Sequence, residues 1–167
     1  IKYGADTNDV LPAITYWLMG SLSFSTSSIV WNLTIPMLSG ILILIFFSKY
    51  LNALSLGDEE AKALGVNTKL LKLIIILVAT LISALSVILA GIIGWIGLII
   101  PHITRLIFGA DNKVILPMSA LIGAIFLLLV DNVSKLIFSF EIPIGIVTAI
   151  IGIPIFIFVL KNAKKGF

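Results

Sequence analysis

The sequence predicts an all-α membrane protein, a polytopic bundle of about five spanning helices with short outer and cytoplasmic helices. Two observations decide the class. Of the 167 residues, 60% are hydrophobic and only 11% charged, whereas soluble domains run at about 45–50% and about 25%. With a mean hydropathy of +1.23, a soluble globule of this size would expose apolar patches well beyond the usual few hundred Å². A third observation, the placement of the charges, sets the topology. They fall between long uncharged runs and not along one face, a pattern of membrane topology and not of nucleic-acid binding. The absence of Cys excludes disulfides and thiolate chemistry, and a single His excludes a His-rich metal cluster.

A crossing needs about 20 mostly apolar residues for roughly 30 Å of hydrocarbon. Residues 10–48 are uncharged, but Ser21, Ser23, Ser25, Thr26, Ser27 and Ser28 interrupt their first half. The first full span is therefore 29–48, preceded by a short helix or partial span at 11–19 on the outer side. Residues 73–104 form an uncharged run too long for one upright helix and short for two. Gly91-Ile92-Ile93-Gly94 offers a break inside it, since broken backbone is tolerated in membranes where protein or a cavity satisfies it.

Charge parity chooses two crossings, 68–90 and 95–108. Lys49, Lys62, Lys69, Lys72, Arg105, Lys113, Lys161, Lys164 and Lys165 then share one side, leaving Lys2 and Lys135 opposite. The positive-inside rule makes the basic side cytoplasmic, along with the C-terminus. Spans at 114–135 and 142–160 complete the five. The start at Ile1, with no Met, reads as a truncation.

The loop 49–72 holds a two-turn helix at 57–65. Asp58, Glu59 and Glu60 occupy its first turn, where the helix dipole favours acids, and Gly65 suits the position just past its end. Asn67 or Thr68 can cap the next helix. So short a helix is unstable alone, and Leu51, Leu54, Leu56 and Leu64 indicate docking; a solvated connection is the plainer alternative.

Small residues recur at helical spacing: Ala79, Ser83, Ser86 and Ala90, then Gly94 and Gly97; Ala120, Gly123 and Ala124; Gly145, Ala149 and Gly152. They read as helix-packing seams, with pore lining as the alternative. Pro12, Pro36, Pro101, Pro117, Pro143 and Pro154 lie in or beside apolar segments and can kink them; Pro154 frees the Ile150 carbonyl. His102 reads as a hydrogen-bonded interface residue, Asp131 and Lys135 as an i, i+4 ion pair near the outer end, and Glu141 as a first-turn acid of the last helix. No acid pair, nucleophile constellation or Gly-x-x-x-x-Gly-Lys loop is present. Active transport would draw its energy from another subunit.

Several segments, taken in order, resemble the membrane-spanning permease of the iron–siderophore and vitamin B12 class of ABC importers. Tyr16-Trp17-Leu18-Met19-Gly20 is similar to its Trp-x-x-Gly segment. Residues 54–65 are similar to its Leu-Gly-x-x-x-Ala-x-x-Leu-Gly loop. Residues 89–105 resemble the Ala-Gly-x-Ile-Gly-Phe-Ile-Gly-Leu-x-x-Pro-His-x-x-Arg signature, which Gly91, Gly94, Gly97, Pro101, His102 and Arg105 carry, with Trp95 where Phe is usual. Leu116-Pro117, Asp131 and residues 141–149, including Pro143 and Gly145, extend the match, as do Gly152 and Pro154.

The resemblance implies a ten-helix permease, of which this chain is the C-terminal half. It implies a second permease subunit, identical or homologous, and two cytoplasmic ATPase subunits that hold ATP and Mg²⁺. An extracytoplasmic binding protein would deliver an iron chelate such as a siderophore or haem complex. By the same resemblance, Leu56, Gly57, Asp58, Glu59, Glu60, Leu64 and Gly65 form the ATPase-coupling loop, and Lys135 meets the binding protein. No catalytic residue, bound metal or cofactor of its own is expected, and the location is the plasma or inner membrane. A secondary carrier or channel, or a membrane scaffold, is the alternative.

Overall fold

The computed structural model describes residues 10–23, 25–136 and 142–163; Lys2, Glu141, Lys164 and Lys165 lie outside the described residues. Among the described residues seven helices follow in order: α1 (Val10–Met19), α2 (Ser27–Leu54), α3 (Asp58–Ala63), α4 (Thr68–Ala90), α5 (Ile96–Phe108), α6 (Asn112–Leu136) and α7 (Ile144–Ala163). Three of them, α2, α4 and α6, are long and apolar enough to cross a membrane, while α5 and the described part of α7 are shorter apolar helices. The five expected crossings thus map onto three long helices and two shorter ones. Pro36, Pro101, Pro117 and Pro154 all lie inside helices that continue through them.

Expected to end at Ser48, α2 runs on to Leu54 because no Gly or Pro stands between Ser48 and Gly57. Its extra turns carry Lys49, whose ammonium lies 4.8 Å from the Tyr50 ring centroid and 5.8 Å from that of Phe46. That placement holds the charge beside aromatic faces at the end of the apolar layer. One face of α2, carrying Trp31, Ile35, Leu38, Leu42 and Phe46, is exposed along its length. So much exposed hydrocarbon requires lipid or other transmembrane helices against it.

The opposite face of α2 carries Gly40, buried against α4; a Cβ there would come within 2.8 Å of Ile82 Cγ1. The α2–α4 pairing is the most extensive in the bundle, and its close approach rests on that glycine. Ser83, Ser86 and Ala90 of the α4 stripe instead line a cavity of about 530 Å³ shared with Met37, Ile93 and Leu127. The seam with α2 is therefore made by a small residue on the other helix.

Burial concentrates where α5, α6 and α7 meet. Val130, Ile144 and Val147 form a cluster packed by Leu22, Ile93, Phe126, Leu127, Ile142 and Ile151. Two buried hydroxyls there are satisfied locally, Thr104 donating to the Ile100 carbonyl at 2.8 Å and Thr148 to that of Gly145 at 3.0 Å, whereas the buried Ser119 Oγ on α6 has no hydrogen-bond partner among the described residues.

Residues 68–108 travel out and back. Asn52, at the end of α2, donates to Asp111, between α5 and α6, at 2.6 Å. The loop containing α3 and the α5–α6 connection therefore share one end of the bundle. With them lie Lys49, Lys62, Lys69, Lys72, Arg105 and Lys113, while Lys135 sits near the other end of α6.

Candidate functional site

The first end is built around α3. Gly57, at φ 124, turns the chain out of α2. The six-residue helix closes with a paired cap: Gly65 N–H donates to the Lys62 carbonyl at 2.9 Å and Val66 N–H to that of Ala61 at 3.0 Å. The cap needs φ > 0 at Gly65, which has φ 80. Asn67 then accepts from Leu70 N–H at 3.1 Å and starts α4.

Docking gives this short helix a fixed place that its length alone could not. Ala61 is fully buried, and both Asp58 oxygens lie 2.6 Å from Lys72 Nζ on α4. Glu59 pairs with Lys62 at 2.7 Å. Leu51 and Leu54 are half-buried, but Leu56 and Leu64 stand 65% and 66% exposed beside the outward-facing Glu59 and Glu60. A held helix thus presents acids and two apolar side chains to whatever lies beyond.

Behind it, Asn52 uses both ends of its amide. Its Nδ2 donates to Asp111 and its Oδ1 accepts from Asn112 N–H at 2.9 Å, while Asp111 Oδ1 also accepts from Lys113 N–H at 2.9 Å. These bonds, that from Asn52 foremost, hold the Asp111 carboxyl below its ordinary value. Neither residue was singled out from sequence. They lie about sixty positions apart, and no local pattern marks them.

The second end joins three broken segments. Ser21 N–H donates to the Ala90 carbonyl at 3.0 Å, Ile92 N–H to that of Trp17 at 3.4 Å, and Ile144 N–H to that of Gly20 at 2.9 Å. Ser25 Oγ donates to the Leu89 carbonyl at 2.6 Å, and Ser134 Oγ to that of Ile142. The end of α1, the α4–α5 break and the start of α7 so satisfy one another, as irregular backbone at membrane depth must. Gly91, at φ 66, abuts the Trp17 carbonyl, and Gly145 the Met19 carbonyl; a Cβ at either would overlap backbone.

Other signature residues are placed differently. A Cβ on Gly94 or Gly97 would meet nothing within 4 Å among the described residues. Gly97 and Pro101 line a cavity of about 460 Å³ with Ser119 and Gly123. The exposed His102 has its ring centroid 6.3 Å from that of Phe156 and no hydrogen bond among the described residues, in contrast to its expected hydrogen-bonded role. Arg105 lies exposed in the last turn of α5, and Pro143 immediately precedes α7. Lys135 pairs with Asp131 at 2.8 Å and stays partly exposed. Trp95 is the one described non-glycine residue with positive φ, 68; its ring packs edge-on to Phe156 at 6.2 Å.

The sequence pattern of the FecCD transport family is matched by residues 2–162. The chain belongs to the FecCD transport family.

Within that setting it is 42% identical over 166 residues to the molybdate import system permease MolB of Haemophilus influenzae, covering 99% of this chain and 49% of that protein. It is 37% identical over 159 residues to the iron(3+)-hydroxamate import system permease FhuB of Bacillus subtilis, covering 95% and 41%. A solved structure of a metal-chelate type ABC transporter in an inward-facing conformation superposes with a TM-score of 0.90 at 42% identity, covering 96% of this chain and 52% of that one. The chain thus spans about half the length of these FecCD-type relatives.

Among the described residues no group of His, Cys, Asp and Glu is placed to hold a metal ion.

Proposed function

We propose that this chain forms part of the transmembrane permease subunit of an ATP-driven importer of metal complexes. Iron chelates are the favoured cargo. The observation that carries the reading is the rigidly capped α3 loop, which presents Leu56, Leu64, Glu59 and Glu60 outward in a FecCD-family chain. A docked helix with exposed apolar anchors suits a partner that pushes on it, because its displacement passes directly to α2 and α4. The partner is a cytoplasmic ATPase pair carrying ATP and Mg²⁺. A second permease subunit completes the pathway, and an extracytoplasmic binding protein docks at the Lys135 end. The protein then lies in the bacterial plasma or inner membrane with its C-terminus in the cytoplasm. Its relatives' names cover both molybdate and ferric hydroxamate, so the cargo class rests on the sequence resemblance alone.

Co-purification of the full-length protein with an ATPase subunit, followed by ATP-dependent uptake into proteoliposomes, tests the reading. Gly65→Val places a β-branched residue where φ is 80, a conformation such residues resist. It is expected to lower ATP-driven uptake about tenfold while membrane insertion stays normal. Unchanged uptake in that variant, or uptake independent of ATP, overturns the assignment of the loop.

A further inference from the structure

From the contacts of Asn52 we infer that it is the positioning residue that locks the α3 loop to the α5–α6 connection, so that the two move as one body. The inference rests on the proposed permease function and deepens it. Asn52 lies six residues before α3, on the last turns of α2. Its side chain holds the opposite connection by two hydrogen bonds, one to the Asp111 carboxylate at 2.6 Å and one from the Asn112 amide at 2.9 Å. Asp111 in turn caps the first turn of α6 through Lys113 N–H at 2.9 Å. An amide is the side chain that fits, since it must donate to a carboxylate and accept from an N–H at once. A carboxylate at position 52 would face Asp111 with like charge. A push on α3 would therefore reach α5 as well as α4, and α5 ends at the Trp95 break beside the interlocked backbone of the far end.

The test uses the full-length permease assembled with its ATPase. The 167 residues contain no Cys; with any Cys elsewhere in the full-length protein and its ATPase replaced, an Ile92→Cys label at the exposed far-end residue reports motion there. Addition of ATP should change its labelling rate in the parent. Asn52→Asp should reduce that change at least fivefold while ATPase binding persists, and the reversed pair Asn52→Asp with Asp111→Asn should restore it. In a protein without the Ile92→Cys label, whose thiol the reagent would also modify, joining Asn52→Cys to Asp111→Cys with a short bis-thiosulfonate linker should leave ATP-driven uptake intact.

If the linker abolishes that uptake and reduction restores it, the two connections separate during the cycle and the inference fails. A reversed pair no better than the single variant also overturns it. Hydrogen exchange reads the latch without nucleotide: Asn52→Ala should speed exchange at the Asn112 amide about tenfold, and unchanged exchange refutes the latch. A parent complex that shows this protection but no ATP response refutes the proposed function instead.

Discussion

The two ends of the bundle solve the same problem by opposite means. Each contains helix ends whose backbone groups need partners. At the α3 end the partners are largely side chains and a glycine cap: Asn67 for Leu70 N–H, Asn52 for Asn112 N–H, Asp111 for Lys113 N–H, and the turn at Gly65. At the α1–α5–α7 end they are mainly other backbones, brought together where Gly91 and Gly145 carry no Cβ. Side-chain partners can each be replaced without displacing a backbone; backbone partners packed against glycine cannot. The contrast divides the molecule into an end suited to receiving a push and an end that keeps its shape.

The largest expected effect breaks the rigid end. Gly91→Val forces a β-branched residue to φ 66 and drives its Cβ into the Trp17 carbonyl. It should cost about 3 kcal/mol or more, seen as a large drop in thermal stability of the detergent-solubilised full-length protein. Gly94→Ala, with open space around it, should stay within about 0.5 kcal/mol. Equal losses in the two variants would remove the distinction between interlocked and open glycines.

A smaller effect separates stability from recognition at the same end. Lys135→Glu removes a partly exposed i, i+4 pair with Asp131 and should cost no more than about 1 kcal/mol. Affinity for an acidic binding protein should nonetheless fall about tenfold or more, measured by titration against the reconstituted complex. Unaltered affinity would confine Lys135 to its local pair.

The smallest effect lies at the α3 end. The folded-state pKa of Asp111 is lowered from 3.8, chiefly by Asn52. Its stabilising contribution is therefore complete above the unfolded value and is lost as pH falls through the lower folded value. Asn52→Ala should raise the Asp111 pKa toward its ordinary value and flatten the pH dependence of stability below that value. A titration of the carboxyl that is identical in parent and variant would contradict the hydrogen bond as cause.

Much of this division was legible in the sequence because it rests on local chemistry. Gly57, Gly65 and Asn67 announce the short helix and its neighbour through the backbone angles and caps they supply, and Gly91 to Gly94 announce the break. Charge parity gave the out-and-back course of residues 68–108. The extra turns of α2 were missed because Lys49 looked like the end of a span, while its aromatic neighbours keep it on the helix. Gly40 was missed because an isolated glycine in an apolar run has no pattern; only the exposed stripe on the opposite face of α2 could have indicated it. The Asn52–Asp111 pair is a product of tertiary structure. Gly94 and Gly97 stand in the same motif as Gly91, yet only Gly91 is pressed against another backbone, a difference that spacing does not encode.

The length of α5 has a further consequence. Thirteen residues rise only about 20 Å, leaving some 10 Å of a typical hydrocarbon layer uncovered along its axis. That depth is occupied by the non-helical stretch from Gly91 to Trp95, whose peptide dipoles would be poorly solvated by acyl chains. Oil cannot be the solvent over that stretch. The end of α1 roofs part of it, the Trp17 carbonyl accepting from Ile92 N–H, and further protein or a shallow well of water must cover the groups left open.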